Sequence, residues 1–470
     1  MERTRIRDTL IALLLAAALG YSEQGVDLEP GILIEKVTTK NDPEQSYALY
    51  LPRSYTAERP WPILYCFDPR ARGTVAVERF KAAAEEHGLI VVGSNNARNG
   101  PMDVIGRAII ALWNDTHLRF AINENLIYAA GFSGGAQVAL GLGPSLNRKI
   151  AGIIACSRGL PEGIRVEMLA GTAIFCTAGT TDFNYREVEA FDGLLATAGV
   201  PHRTEFFAGP HAWASESLLA EGLRWQVFQA MKVGKIPRDQ QFMDSIFNLE
   251  DSRAREASEK GRVVESARLY ECLKSDFGGL RQMTEIDEEI RRLKGSPEFT
   301  KQVKNEKKLA EKEQNRLTQL RSVFGRINDP SLEFLTSGRF VNEFGIPGLK
   351  KEAAKGPEDV EGAMAARLLA ELFDNTMNAG DAYMAKGDCR RAAVLFEVSG
   401  EISPDIWAAW YNAACAHACQ KNKKAALQML SRAVEKGFDD RDHLASDPDL
   451  AALREEEEFK ALLEKLPRQP

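Results

Sequence analysis

The sequence predicts an α/β fold, a mostly parallel sheet with helices on both faces, followed by an all-α part. Two patterns carry this expectation. From about residue 31 to residue 232, short β-rich runs alternate with helix-patterned ones, the order that builds a sheet covered on both sides. After KVGKIPRDQQ, Lys232 to Gln241, strand signals largely stop and the chain becomes charged, Ala- and Leu-rich and helical in period. A length of 470 residues agrees with such a division, because single cores stop growing near about 250–300 residues.

The first twenty residues, MERTRIRDTLIALLLAAALG, place Arg3, Arg5 and Arg7 ahead of an apolar run from Leu10 to Ala18, with Ala18 and Gly20 as small residues at its end. This reads as a secretory signal peptide. The run is shorter than the ~20 residues of a spanning helix, so the expectation is an exported chain, periplasmic or extracellular, with no stable membrane span after processing.

Residues 21–235 are assigned to the sheet domain. Its strands are expected at SYALYLP, PILYCFD, GLIVVGSNN, NLIYAAGF, KIAGIIACS, TAIFCTAG and RTEFFAG. Most lack polar alternation, as strands buried on both faces do. Helices lie between them, among them Val75–His87, Met102–Phe120 and Tyr185–Gly199.

Residues 236–365 form a helical region and residues 366–470 a repeat region. In the latter, Gly380, Tyr383, Ala392, Phe396 and Pro404 have the spacing of one helix-turn-helix unit. Adding 34 to Ala392, Phe396 and Gly380 reaches Ala426, Leu430 and Ala414, and Trp410 falls early in the second unit. This segment resembles a tetratricopeptide repeat, whose period is 34, and a weaker copy lies at EASEKGRVVESARLYECL, Glu256 to Leu273. Such repeats stack to bury their apolar faces and leave a concave surface, which makes a protein partner the expected ligand. KNEKKLAEKEQNRLTQL, Lys304 to Leu320, reads as a solvated helix with Leu309, Leu317 and Leu320 inward.

The formal charge of −7 becomes −8 without residues 1–20, which hold three Arg against one Glu and one Asp. Nucleic acid, which needs a basic face, is not an expected partner. Seven scattered cysteines argue against a disulfide framework, and Cys66, Cys156 and Cys176 sit in apolar runs as small core residues. No metal is expected: on a helix Cys415 and Cys419 share a face while His417 points nearly opposite, so this trio cannot chelate one ion.

Function is carried by GFSGG, Gly131 to Gly135. It fits the G-x-S-x-G nucleophile elbow and falls between an expected strand and an expected helix, the context that this motif requires. A strand turning straight into a helix forces Ser133 into strained backbone and lifts its hydroxyl to the carboxyl edge of the sheet. The helix start leaves the Gly134 N–H as a donor to a developing oxyanion. Downstream, TAIFCTAGTTDFNY ends in a loop holding Asp182, and RTEFFAGPHAWAS ends in a loop holding His211. Order and edge match the sequence Ser, acid, His of this elbow's fold. His87, His117, His202, His417 and His443 lie elsewhere, before strands, within a helix or in the repeats. Since a serine hydroxyl is a weak nucleophile, His211 would take its proton while Asp182 holds the imidazole in the required tautomer.

The second oxyanion donor is expected near ILYCFDPRARG, where Pro69 has no N–H and the backbone of Arg70 is the candidate. Asp68 is expected to point away from the site, towards Arg70 or Arg72. GSNNARNGP, Gly93 to Pro101, closes another strand at the same edge, so Asn95 and Asn96 are candidates to contact substrate. Trp213, two residues past His211, is a candidate cleft wall or packing anchor.

Residues of about 40–232 resemble the secreted serine esterases of the α/β-hydrolase superfamily, in particular the feruloyl esterase and polyhydroxybutyrate depolymerase-like group. The matching pieces are YALYLP, GFSGGA and GPHAW. The resemblance implies an α/β-hydrolase fold and cofactor-free hydrolysis of a small or polymeric carboxylic ester through an acyl-enzyme, with Ser133 as nucleophile, Asp182 as acid and His211 as base. This chain departs from it at Asp68-Pro69, where many relatives carry His-Gly. Two alternatives stay open: a peptidase of the same fold, and an inactive hydrolase-fold scaffold whose repeats bind a partner.

Overall fold

The computed structural model describes residues 28–146, 149–327 and 336–467. The expected signal peptide, residues 1–20, lies outside them. Among the described residues no helix is long and apolar enough to cross a membrane. The chain divides into two compact units at Asn305 and Glu306.

The first unit is built on eight strands: β1 (Leu33–Thr38), β2 (Ser46–Tyr50), β3 (Trp61–Phe67), β4 (Ile90–Ser94), β5 (Ile122–Phe132), β6 (Ile150–Cys156), β7 (Ala173–Gly179) and β8 (His202–Phe207). They lie in the order β1-β2-β4-β3-β5-β6-β7-β8. β2 is antiparallel to both neighbours and every pairing from β4 to β8 is parallel. This is the α/β-hydrolase fold. β3 shows why the strands lack polar alternation: Ile63, Tyr65 and Phe67 enter the core on one face, and Leu64 and Cys66 the core on the other. β1 adds an eighth, edge strand to the seven expected. Its half-exposed LIEKVT has too few buried positions to announce itself.

Helices α1 (Gly73–His87), α2 (Met102–Arg119), α3 (Gly134–Ser145), α4 (Tyr185–Ala198) and α5 (Glu216–Lys232) cover the sheet. Ala76, Val77 and Phe80 of α1 and Leu219 and Leu223 of α5 fill one core. Residues of α2, α3 and α4, among them Leu112, Leu140 and Phe191, fill the other. Cys66, Cys156 and Cys176 are fully buried, and burial pushes the Cys156 thiol up to about 11.

The compact unit continues beyond the strand-poor boundary at 232–241. Helices α6 (Gln240–Glu259), α7 (Val263–Phe277) and α8 (Thr284–Lys294) bring Met243, Ile246, Leu273 and Phe277 into the same core as Phe175 of β7 and Phe228 of α5. Loss of strand signal marks the end of the sheet, not of the layers that cover it.

A buried ion cluster fastens these helices. Arg203 of β8 donates to Asp276 Oδ2 through Nε (2.8 Å) and Nη2 (2.7 Å), and its Nη1 lies 2.6 Å from Glu250 Oε2. Trp225 and Gln229 of α5 also donate to Asp276. Asp276→Ala leaves a buried guanidinium short of its partner, so we expect a loss of about 3–5 kcal/mol, measured by urea unfolding. A loss under 1 kcal/mol would show that the cluster does not hold the helices to the sheet.

The second unit is helical. From Glu306 on, α9 (Pro297–Arg326) turns Leu309, Leu317 and Leu320 towards a core with Phe340 and Leu368. Next come α10 (Ser337–Glu343), α11 (Ile346–Ala353), α12 (Val360–Ala385), α13 (Cys389–Ile402), α14 (Trp407–Cys419) and α15 (Lys423–Glu435). Positions 34 apart share structural roles. Gly387 and Lys421 have φ of 76° and 62°, and the side chains of Asp388 and Asn422 cap the following helices. Ala392 and Ala426 are fully buried. A Cβ on Gly380 would lie 2.4 Å from the Phe396 ring, which explains the small residue there. The α6–α7 turn has the same form: Arg262 N–H donates to Ala257 O, as Asp388 does to Tyr383 O and Asn422 to His417 O.

Cys389 and Cys419 form a disulfide with Cα atoms 6.0 Å apart. It ties the first residue of α13 to the last of α14. Scattered spacing gave no sign of it, because the pairing follows from the antiparallel run of two helices rather than from a framework.

Candidate active site

The elbow between β5 and α3 is set by close backbone approach. A Cβ on Gly131 would lie 2.1 Å from Gly135 O, and one on Gly135 would lie 2.1 Å from Phe67 O at the end of β3. Only glycine fits at either place. Between them Ser133 sits at φ 53°, ψ −121°, a left-handed φ that a non-glycine residue adopts at a cost of order 1–3 kcal/mol. Its N–H is held by Cys156 O at 2.9 Å.

The loops after β7 and β8 are laced together. Thr180 N–H donates to Phe207 O (2.8 Å), Thr181 N–H to Gly209 O (2.9 Å), and the Thr181 hydroxyl to Gly209 O (2.7 Å). Asp182 and His211 are therefore fixed relative to each other before their own side chains bond.

The three side chains meet. His211 Nδ1 lies 2.8 Å from Asp182 Oδ1 and His211 Nε2 lies 3.0 Å from Ser133 Oγ. Asp182 is fully buried, and its Oδ1 also accepts from Asn184 N–H at 2.8 Å. The imidazole is flanked by Phe132 at 4.7 Å and Phe183 at 4.2 Å between ring centroids. These are the chain neighbours of Ser133 and Asp182. The arrangement can move the hydroxyl proton of Ser133 to His211 while the Asp182 carboxyl group faces the other nitrogen.

Two further residues brace it. Ser157, after β6, has φ 59°; its carbonyl accepts from Asn184 Nδ2 (2.8 Å) and its hydroxyl donates to Ala212 O (3.2 Å). Neither stood out in the sequence, since each works through backbone atoms.

Gly134 opens α3, so its N–H has no acceptor within the helix. Of the other expected contacts, those of Arg70, Asn95 and Asn96 are corrected. The N–H of Arg70 is not available as a second donor, because it donates to Asp68 Oδ1 at 2.9 Å. Asp68 does turn to Arg72, which binds it through Nε (2.9 Å) and Nη2 (2.8 Å). Burial pushes the Asp68 carboxyl up, and bonds from Arg72, Trp213 and Arg70 outweigh this and leave it below the usual carboxylate range. Trp213 is a packing anchor and not a cleft wall: it is 6% exposed, packs on Phe80 and Phe132, and donates to Asp68 Oδ2 at 3.0 Å. Asn95 and Asn96 are engaged by strand backbone. Asn95 Nδ2 donates to Glu35 O (3.0 Å), while Asn96 Oδ1 accepts from Ser46 N–H (2.8 Å) and its Nδ2 donates to Glu44 O (3.2 Å). They pin their loop to β1 and β2 rather than contact substrate.

No protein-family model matches the chain, and no curated protein matches it. Solved structures that it is similar to include a fluorophosphonate-binding serine hydrolase of Staphylococcus aureus, at 18% identity over 42% of this chain and 99% of that one, TM-score 0.35. The S-formylglutathione hydrolase of the same organism has 17% identity over 44% and 100%, TM-score 0.35. A ferulic acid esterase has 18% identity over 42% and 97%, TM-score 0.34. The fold assignment rests on the strand order, not on these likenesses.

Proposed function

We propose that the chain is a serine hydrolase that cleaves carboxylic esters through an acyl-enzyme. The observation that carries this reading is the hydrogen-bonded series Ser133, His211, Asp182 at an elbow whose serine is held at positive φ. In the first step Ser133 Oγ bonds to the ester carbon, its proton passes to His211 Nε2, and the carbonyl electron pair moves onto oxygen, which accepts from Gly134 N–H. As the pair returns, the carbon–alkoxide bond breaks and the alcohol leaves with the proton from His211. Water then repeats the sequence and releases the acid.

Ester rather than amide is the proposed substrate. Purified chain should turn over p-nitrophenyl acetate and leave a matched p-nitroanilide essentially untouched. Preferential cleavage of the anilide would replace this reading with a peptidase, and no turnover of either would replace it with the scaffold.

The helical pairs of the second unit are read as tetratricopeptide-like, with a protein partner on their concave surface; the 34-residue recurrence of caps and turns supports this. Export is supported by the sequence of residues 1–20 and by the Cys389–Cys419 disulfide, a bond that persists in oxidising compartments.

A further inference from the structure

A tetrahedral oxyanion is best held by two donors, and Gly134 supplies one. The loop after β3, the usual source of the other, has none to give over three consecutive residues. Pro69 lacks an N–H, the N–H of Arg70 donates to Asp68 Oδ1, and that of Ala71 donates to Asp68 O at 2.9 Å. The deficit follows from the Asp68-Pro69 pair and the turn which the aspartate closes.

A second loop lies against the first. Arg98 bridges Arg70 in antiparallel fashion, and Asn99 N–H donates to Pro69 O at 2.8 Å. The backbone of Asn99 is thereby fixed over the stretch that cannot donate. Its side chain reaches the residue after the nucleophile: a Cβ on Gly134 would lie 1.8 Å from Asn99 Oδ1, 2.8 Å from Cγ and 3.2 Å from Nδ2. The carboxamide thus rests on the α-carbon of the residue whose N–H faces the oxyanion. Unlike Asn95 and Asn96 in the same loop, its amide is engaged by no protein partner among the described residues. A carboxamide can turn its N–H side to an anion by a half rotation about its last torsion.

We infer that the Asn99 carboxamide is the second oxyanion donor, a catalytic residue that replaces the backbone N–H lost at Arg70. This rests on the hydrolase reading above. A side-chain donor acts where charge develops, so its loss lowers kcat and leaves substrate binding nearly unchanged.

The test uses the full chain with p-nitrophenyl acetate. Asn99→Ala should lower kcat by about 10²-fold or more, with KM within about threefold and an unchanged thermal midpoint, the side chain being exposed. Asn99→Asp keeps the shape but offers no N–H and sets a negative charge against the oxyanion, so it should be at least as slow as Asn99→Ala. Recovery of wild-type kcat in Asn99→Asp would show that the residue only fills space, and would overturn the inference. So would an Asn99→Ala kcat within threefold of wild type, or a rise in KM alone. If the wild-type chain has no turnover, the hydrolase reading falls and this inference with it; an active wild type with an indifferent Asn99→Ala removes this inference alone.

Discussion

Ser133→Ala should lower ester turnover by about 10⁵–10⁶-fold, on the order of 7–8 kcal/mol of barrier. The substitution deletes one oxygen and keeps the Cβ, so the positive φ at the elbow and the packing of Gly131 and Gly135 are left as they are. Unfolding by urea should therefore shift by no more than about 1 kcal/mol. This separation matters, because a loss of activity in a destabilised variant would say nothing of chemistry. Loss of turnover with stability intact places the reaction on the hydroxyl. A variant that keeps a tenth of wild-type turnover would remove the nucleophile from the account.

Asp182→Asn should lower kcat by about 10⁴-fold at neutral pH. Oδ1 of Asp182 accepts from both Asn184 N–H and the His211 Nδ1 side. An amide at 182 can keep its oxygen on those two donors but carries no charge, so nothing offsets the positive ring that forms when His211 takes the proton of Ser133. The size is volume-conserving at a fully buried position, and KM should move little. A kcat within tenfold of wild type would mean that the carboxylate does not stabilise the charged ring.

The elbow was legible in the sequence because it rests on local chain geometry. Two glycines, a serine, a preceding apolar run and a following helix are all within Leu126 to Gly143. Asp182 and His211 were legible as positions at strand ends, since parallel strands gather their carboxyl-terminal loops on one edge. What surrounds them was not. Asn95, Asn96 and Asn99 are the same residue type within five positions, yet two are engaged by β1 and β2 and one reaches Gly134. Only tertiary pairing separates them. Arg70 departs from the expectation because an aspartate two residues earlier closes on the following N–H, so the donor is taken by its own neighbour. The helices from Gln240 to Lys294 were recognisable as helices, but their docking depends on Asp276 meeting Arg203 across 73 residues, and no period records that.

Whether His211 and Asp182 make Ser133 reactive is decided by covalent capture. Purified full-length chain treated with a fluorophosphonate and digested for peptide mass mapping should carry one phosphonyl group per chain, on Ser133. A chain that stays unlabelled, or one labelled at another residue with Ser133 unmodified, would contradict that activation.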